Sequence, residues 1–434
     1  MSEPPGTVTA KLRISSKLDP ERPLAPQAPI SRFYTALVTG DLRSLQVLTE
    51  RHHLDVNLVF EISKNELECP LPCPAGLWAL EERRELSTPL CLAAQHGHPD
   101  CLRHLLRRGA HPNLAPGGHG PLHRACQGGH SHCLELLLEY RADPNLRSDQ
   151  GTAPLHLCTS PGSLCARLLL RHGAAVELPS EAGGDRALHV AARHRLCGHA
   201  GLYLRRRARV DARNARGETA LGVLCGQPPG PGDDSLQLFQ LLAAHGADLE
   251  ARDEGWRRPL HRACGAANAG LARLLLQRGA DANAIDYDGV SPLGWALQGA
   301  ASHRDLRPHV TVQLLLNHGS QRIWPPAFVK VPPQLSFFPP PLRSSSPNTS
   351  TVSGNWEKTR PRCVTVALPL SLQQHRPFYE SLLGLAGRAR CLQHLCRSAI
   401  RRRLGSRCHA LVPLLPLPRA LRDFLLLEPQ GVLL

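Results

Sequence analysis

At 434 residues and 42% hydrophobic content the chain is long enough for two or three domains and can bury a sizeable core, and its net charge is +15. Aromatics make up only 4% while Leu and Ala dominate; this argues against a β-sandwich or barrel and sets the expectation of an all-α fold of small, closely packed helices. No apolar run reaches the roughly 18 residues a membrane span needs, and the arginines come without the stacking aromatics of a nucleic-acid surface, so neither membrane nor nucleic acid is expected as a partner.

Residues 1–30 are polar and proline-rich without apolar periodicity, and read as a lead-in with no regular structure. They carry no apolar targeting signal, so a reducing compartment is expected, the cytoplasm with the nucleus also open to the chain. The fifteen cysteines then act as small buried hydrophobes, as the apolar positions of Cys101, Cys126, Cys133 and Cys165 suggest. Cys69 and Cys73 come nearest to a metal pair but lack a second pair, and no metal or other cofactor is expected.

From Phe33 the pattern FYTALVTGDLRSLQVL reads as a degenerate first repeat over residues 31–57, followed by an insertion over 58–87. Seven units then fill residues 88–323, and their leading leucines, Leu90, Leu122, Leu155, Leu188, Leu221, Leu260 and Leu293, are 32, 33, 33, 33, 39 and 33 residues apart. That period and the Pro-Leu-His wording resemble the ankyrin repeat. Each unit reads as two short antiparallel helices. In the first, Thr88-Pro89 supplies an N-cap and a first-turn proline, Gly97 and Gly109 supply the stops, and Leu90, Ala93 and Ala94 face Leu102, Leu105 and Leu106. Neither helix stands alone in water, so stability is a sum over stacked interfaces. His123, His156 and His261 look like a ladder of ligands or bases, but no carboxylate or cysteine recurs with them at coordinating spacing, so they are read as structural. Shorter insertions fall around Pro228 to Asp234 and between Leu297 and Val312. The concave side and the turn tips, with Arg257 and Tyr287 as examples, form the expected surface for a protein substrate.

Residues 324–370 have linker composition, ten of the 45 residues from Pro325 to Pro369 being proline, and 371–388 read as a helical lead-in. In the last stretch, 389–427, Leu392, Cys396 and Ile400 recur every four residues with Leu395 and Ala399 beside them, so all five share one helix face opposite Gln393, Arg397 and Arg401. That face wants a partner. After Leu414 and Leu415 comes Pro416-Leu417-Pro418, with Pro418 expected in the first turn of a helix that carries Leu421, Phe424 and Leu425 at i, i+3 and i+4.

These two halves, Leu-x-x-x-Cys-x-x-x-aliphatic and Leu-Pro-x-Pro, resemble the SOCS box, and together with the repeats the chain resembles the ankyrin repeat and SOCS box family. The expected architecture is therefore an ankyrin-repeat solenoid, a proline-rich linker and a small helical SOCS box. The resemblance implies a non-catalytic adaptor in a ubiquitin ligase: the repeats hold a protein substrate, and the box recruits elongin B, elongin C, cullin-5 and a RING-box protein. Residue by residue it assigns elongin binding to Leu392, Leu395, Cys396, Ala399 and Ile400, and cullin binding to Leu415, Pro416, Leu417, Pro418, Leu421 and Phe424. The rival reading is an ankyrin scaffold whose C-terminal segment merely caps the array. Enzyme readings lack parts, since the sequence has no phosphate-binding loop, no nucleophile elbow and no RING-like Cys/His spacing.

Overall fold

The computed structural model describes residues 12–15, 29–66, 81–162, 164–230, 234–300, 306–320, 392–404 and 408–426. Among these, eight helix pairs follow in order: α1 (Pro29–Thr39) and α2 (Leu42–Arg51), α3 (Pro89–His96) and α4 (Pro99–Arg107), α5 (Pro121–Gly128) and α6 (Ser131–Glu139), the 3-10 turn η1 (Pro154–Leu157) and α7 (Leu164–Arg171), α8 (Ala187–Arg193) and α9 (Cys197–Arg205), α10 (Ala220–Cys225) and α11 (Asp234–Ala244), α12 (Pro259–Gly265) and α13 (Ala269–Gln277), and α14 (Pro292–Gly299) and α15 (Pro308–Asn317). The chain divides into two compact units, residues 1–220 with 240–247 and residues 221–239 with 248–434.

In the first unit the local rules are visible at α3. The Thr88 hydroxyl accepts from the Cys91 N–H at 3.2 Å, Pro89 opens the helix, and Gly97 ends it at φ 75°. Such a cap contributes about 1 kcal/mol, whereas each fully buried leucine contributes roughly 1.5–3 kcal/mol. Packing therefore decides, and Leu90, Ala93, Ala94, Leu102 and Leu105 are all buried between neighbouring pairs.

Two ladders tie successive pairs together. Each Pro-Leu-His or equivalent histidine accepts through Nδ1 from the N–H three residues before it and faces the next repeat through Nε2: Gly120 N to His123 is 3.2 Å and His123 to the Thr152 carbonyl 3.0 Å. His156 reaches the Asp185 carbonyl and His189 that of Glu218, both at 3.0 Å. Because Nδ1 accepts, Nε2 carries the proton and the ring is neutral. Burial lowers the pKa of all three, that of His123 to about 4. The second ladder runs along the turns, where Asn57, Asn113 and Asn145 accept through Oδ1 from the N–H groups of His111, Asp143 and Ala175 at 2.8–2.9 Å.

The segment 58–87 is not a plain loop. It forms β2 (Phe60–Glu66) and β3 (Glu81–Ser87), paired antiparallel with Phe60 opposite Ser87, and β1 (Leu12–Ser15) adds to β2 in parallel with Leu12 opposite Phe60. The expected helical solenoid holds, with one small three-stranded sheet added to it, one strand of which, Leu12–Ser15, comes from the N-terminal lead-in. The reason is burial: Phe60 and Ile62 are buried, and Phe60 packs on Phe33 at 6.0 Å and Tyr34 at 5.8 Å between centroids, so the alternate residues of β2 gain a core that local sequence does not show. At the far side, Glu85 pairs with Arg124, and a Cβ on Gly117 would stand 2.2 Å from the Leu86 carbonyl oxygen. The Asn57 bond to His111 closes the gap beneath the insertion, so stacking continues past it.

In the second unit His261 repeats the histidine geometry, with Arg258 N donating to Nδ1 at 3.2 Å and Nε2 facing the Ala284 carbonyl at 3.1 Å. Helices α12 and α14 approach so closely that a Cβ on Gly299 would meet the Gly265 carbonyl oxygen at 2.2 Å. The proline-rich stretch 324–370, the lead-in 371–388, and Cys69 and Cys73 lie outside the described residues.

Candidate functional site

The C-terminal stretch folds as α16 (Leu392–Leu404), α17 (Cys408–Leu411), a 3-10 turn η2 (Val412–Leu414) and α18 (Arg419–Leu426). Its core is small. Cys408, Val412 and Leu425 are buried, with Leu404, Leu417 and Leu426 packed against them. Proline sets the path between the helices: Leu415 is extended, the Leu417 N–H turns back to the Leu415 carbonyl at 2.8 Å, and the Pro418 carbonyl accepts from Leu421 and Arg422, both at 3.0 Å. Pro418 thus precedes α18 and caps it, rather than standing in its first turn as the sequence reading had it.

Which face of α16 points inward is decided by Arg401 and Leu404. Arg401 donates to the Leu425 carbonyl at 2.6 Å and is partly buried, with its pKa lowered by burial, and Arg397 is buried one turn earlier. The helix face opposite the apolar stripe, which carries Arg397 and Arg401, is therefore the one turned towards the core. Cys396 and Ala399 are exposed and Ile400 is 40% exposed, so the apolar stripe faces away from the box's own core. Leu392 and Leu395 belong to the same stripe by spacing, but their side chains lie outside the described residues, as does that of Phe424.

The Leu-Pro-x-Pro stretch mixes two roles. Pro416 and Pro418 are exposed, Leu415 is half-buried and Leu421 is 40% exposed, whereas Leu417 packs on the small core. Leu414, 79% exposed, was not singled out as a contact residue, although its place at the head of Leu414-Leu415-Pro416 was the available signal.

The two proposed tip residues separate. Tyr287 is exposed, but Arg257 is held: it donates through Nε to Asp253 Oδ2 at 3.0 Å, its own N–H goes to Oδ1 at 2.8 Å, and its guanidinium lies 5.7 Å from the Trp295 ring. Asp253 also receives Arg262 at 2.6 Å, so Arg257 is held in a clamp within the repeat while its side chain stays 35% exposed. Trp256, beside it and 52% exposed, was missed; the sequence signal was a tryptophan in DEGW where other turns read SDQG, NARG and DYDG.

Comparison with known proteins agrees with this layout. Residues 388–426 match the SOCS box family, and residues 75–148, 122–214 and 242–293 match families of ankyrin repeats. The chain is 51% identical over 416 residues to ankyrin repeat and SOCS box protein 18 of Homo sapiens, covering 93% of this chain and 88% of that protein. It is 38% identical to ankyrin repeat and SOCS box protein 16 of Mus musculus, covering 92% and 86%. To ankyrin repeat and SOCS box protein 10 of Homo sapiens it is 44% identical, covering 82% and 77%. Among solved structures, the ankyrin repeat domain of human ASB11 superposes with a TM-score of 0.44 at 24% identity, over 56% of this chain and 96% of that one.

Proposed function

The chain belongs to the ankyrin repeat and SOCS box protein family, and from that premise we propose that it is the substrate-recognition adaptor of a cullin-5 ubiquitin ligase in the cytoplasm and nucleus. It performs no bond chemistry of its own. The ankyrin array holds a protein target, and the box brings elongin B, elongin C, cullin-5 and a RING-box protein to it, so that ubiquitin is transferred to the target and the target is degraded. The observation that carries the reading is the orientation of α16. Its outer side presents Cys396, Ala399 and Ile400 to solvent while Arg401 and Leu404 close the box's own core, and an apolar stripe turned outward on a small domain is a docking face. Elongin C meets that stripe, with Leu392 and Leu395 completing it. Cullin-5 meets Leu415, Pro416, Pro418 and Leu421, with Phe424 alongside and Leu417 supporting them from the core.

Co-purification with the elongin pair and cullin-5 tests this. Ile400→Asp is expected to remove the elongin pair, because few residues carry an interface and a buried unpaired charge is costly. Leu415→Ala with Pro416→Ala, which spares Leu417, is expected to keep the elongin pair and lose cullin-5. Retention of elongins at wild-type yield by Ile400→Asp overturns the assignment in favour of a terminal cap on the array.

A further inference from the structure

Three residues before α5, η1, α8, α10 and α14 the chain places Gly118, Gly151, Gly184, Gly217 and Gly289, all with φ between 62 and 77°. The turn requires a left-handed residue there, and glycine takes that conformation without a Cβ clash. Before α12 the same place is held by Trp256, at φ 57°. Its N–H returns to the Asp253 carbonyl at 2.9 Å, as that of Gly217 returns to Asn214 at 2.9 Å and that of Gly289 to Asp286 at 3.1 Å, so the turn is the same and only the residue differs. A bulky residue in this region is strained. Burial does not offset the strain, because Trp256 is 52% exposed. The repeats themselves thus supply the control: folding asks for glycine, and the indole answers some other demand.

On the next turn Tyr287 is 76% exposed, and its ring stands edge-on to the indole at 6.3 Å between centroids and 85° between planes. The Tyr287 N–H donates to the Gly255 carbonyl at 3.0 Å, which ties the two tips and fixes the corner between the rings. The backbone N–H groups of Asp253, Trp256, Arg257, Tyr287 and Gly289 are all engaged within the turns, so the tips do not recruit a partner by strand addition. What remains is the rings and the charge beside them. Aromatic faces attract cations, and the Arg252 guanidinium already lies 5.6 Å from the Trp256 ring centre. The exposed carboxylates of Glu254 and Asp288 flank the pair in sequence, one on each tip.

We propose that the corner between Trp256 and Tyr287 takes an arginine or lysine side chain from a basic segment of the target protein, with Glu254 and Asp288 supplying the counter-charge; this rests on the reading that the ankyrin array holds the target. Ile285, two residues before Tyr287 in the same turn, is 62% exposed and offers apolar surface to an aliphatic residue of the same segment.

Fluorescence anisotropy of the full chain with a labelled Gly-Leu-Arg-Val-Arg-Gly peptide tests it, beside the same peptide with citrulline for arginine and beside hexaproline. The arginine peptide is expected to bind, and the citrulline and hexaproline peptides to bind at least tenfold more weakly. Trp256→Gly, which returns the turn to the residue its siblings carry, is expected to weaken binding at least tenfold with an unfolding temperature no lower than wild type, and Tyr287→Ala to weaken it likewise. Glu254→Gln with Asp288→Asn is expected to weaken binding and flatten its salt dependence. The proposal is overturned by no measurable binding of the arginine peptide, by equal binding of citrulline or hexaproline, by undiminished binding in Trp256→Gly, or by a fall in that variant's unfolding temperature. Elongin capture is read on the same samples. Peptide binding without elongin capture refutes the adaptor reading and leaves the corner standing, whereas elongin capture by a wild-type chain that ignores the arginine peptide refutes the corner alone.

Discussion

Acidification should destabilise the array through His123. In the folded chain His123 is fully buried, its Nδ1 accepts from the Gly120 N–H and its Nε2–H donates to the Thr152 carbonyl, so a second proton would set two donors against each other. Burial holds the pKa down to about 4, against about 6.5 for an unfolded histidine. A group whose folded pKa is lowered contributes its full stability above the unfolded value and loses it as pH falls from there through the folded value, because the unfolded chain takes up the proton first. Two and a half units at about 1.4 kcal/mol each amount to about 3 kcal/mol lost between roughly pH 6.5 and pH 4. His156, His189 and His261 are shifted in the same direction and add to the slope. The perturbation is His123→Gln in the full chain, and the assay is urea unfolding across that pH range. At neutral pH the variant should be less stable by about 1–3 kcal/mol, for the lost buried hydrogen bonds. The gap should close, and then reverse, towards pH 4. Carboxylates and the remaining histidines are common to both proteins and cancel in the difference. A gap that stays constant from pH 7 to pH 4 would refute the neutral-tautomer argument.

Other perturbations follow from packing. Gly117→Ala brings a Cβ against the Leu86 carbonyl, which the backbone cannot yield without moving β3, so a loss of about 1–3 kcal/mol is expected in thermal unfolding, with faster hydrogen exchange in β3 than elsewhere. Leu105→Ala, in the buried layer between pairs, should cost about 2–5 kcal/mol by urea titration, and a cost under 1 kcal/mol would contradict the tight packing described. Leu425→Ala removes one of the three buried residues of the small C-terminal core and should abolish capture of elongins and cullin-5 together, whereas the surface changes at Ile400 and Leu415 separate the two.

What the sequence by itself determined is whatever repeats. A spacing close to 33 residues, a leucine at the start of the first helix and a left-handed stop, most often glycine, are local instructions that recur from unit to unit, and they account for the helix pairs from Leu90 to Leu293 and the structural role of His123, His156 and His261. The C-terminal box was legible for the same reason: Leu392, Cys396 and Ile400 at four-residue spacing fix one face of one helix. Tertiary structure decided everything that depends on a partner far along the chain. The strand character of Phe60 to Glu66 became certain only where Phe33 and Tyr34 cover Phe60, and Leu12–Ser15 pairs with a strand some fifty residues away. The partners of Arg257 and Arg401, the Asp253 carboxylate and the Leu425 carbonyl, are not legible in the local pattern around either arginine. Trp256 lay between the two cases, since the sequence showed a tryptophan in place of glycine but only the backbone, at φ 57°, showed that the turn is strained to keep it. Periodicity reports the contacts a residue makes within its own repeat, while long-range contacts depend on how distant segments meet, and no local pattern encodes that meeting.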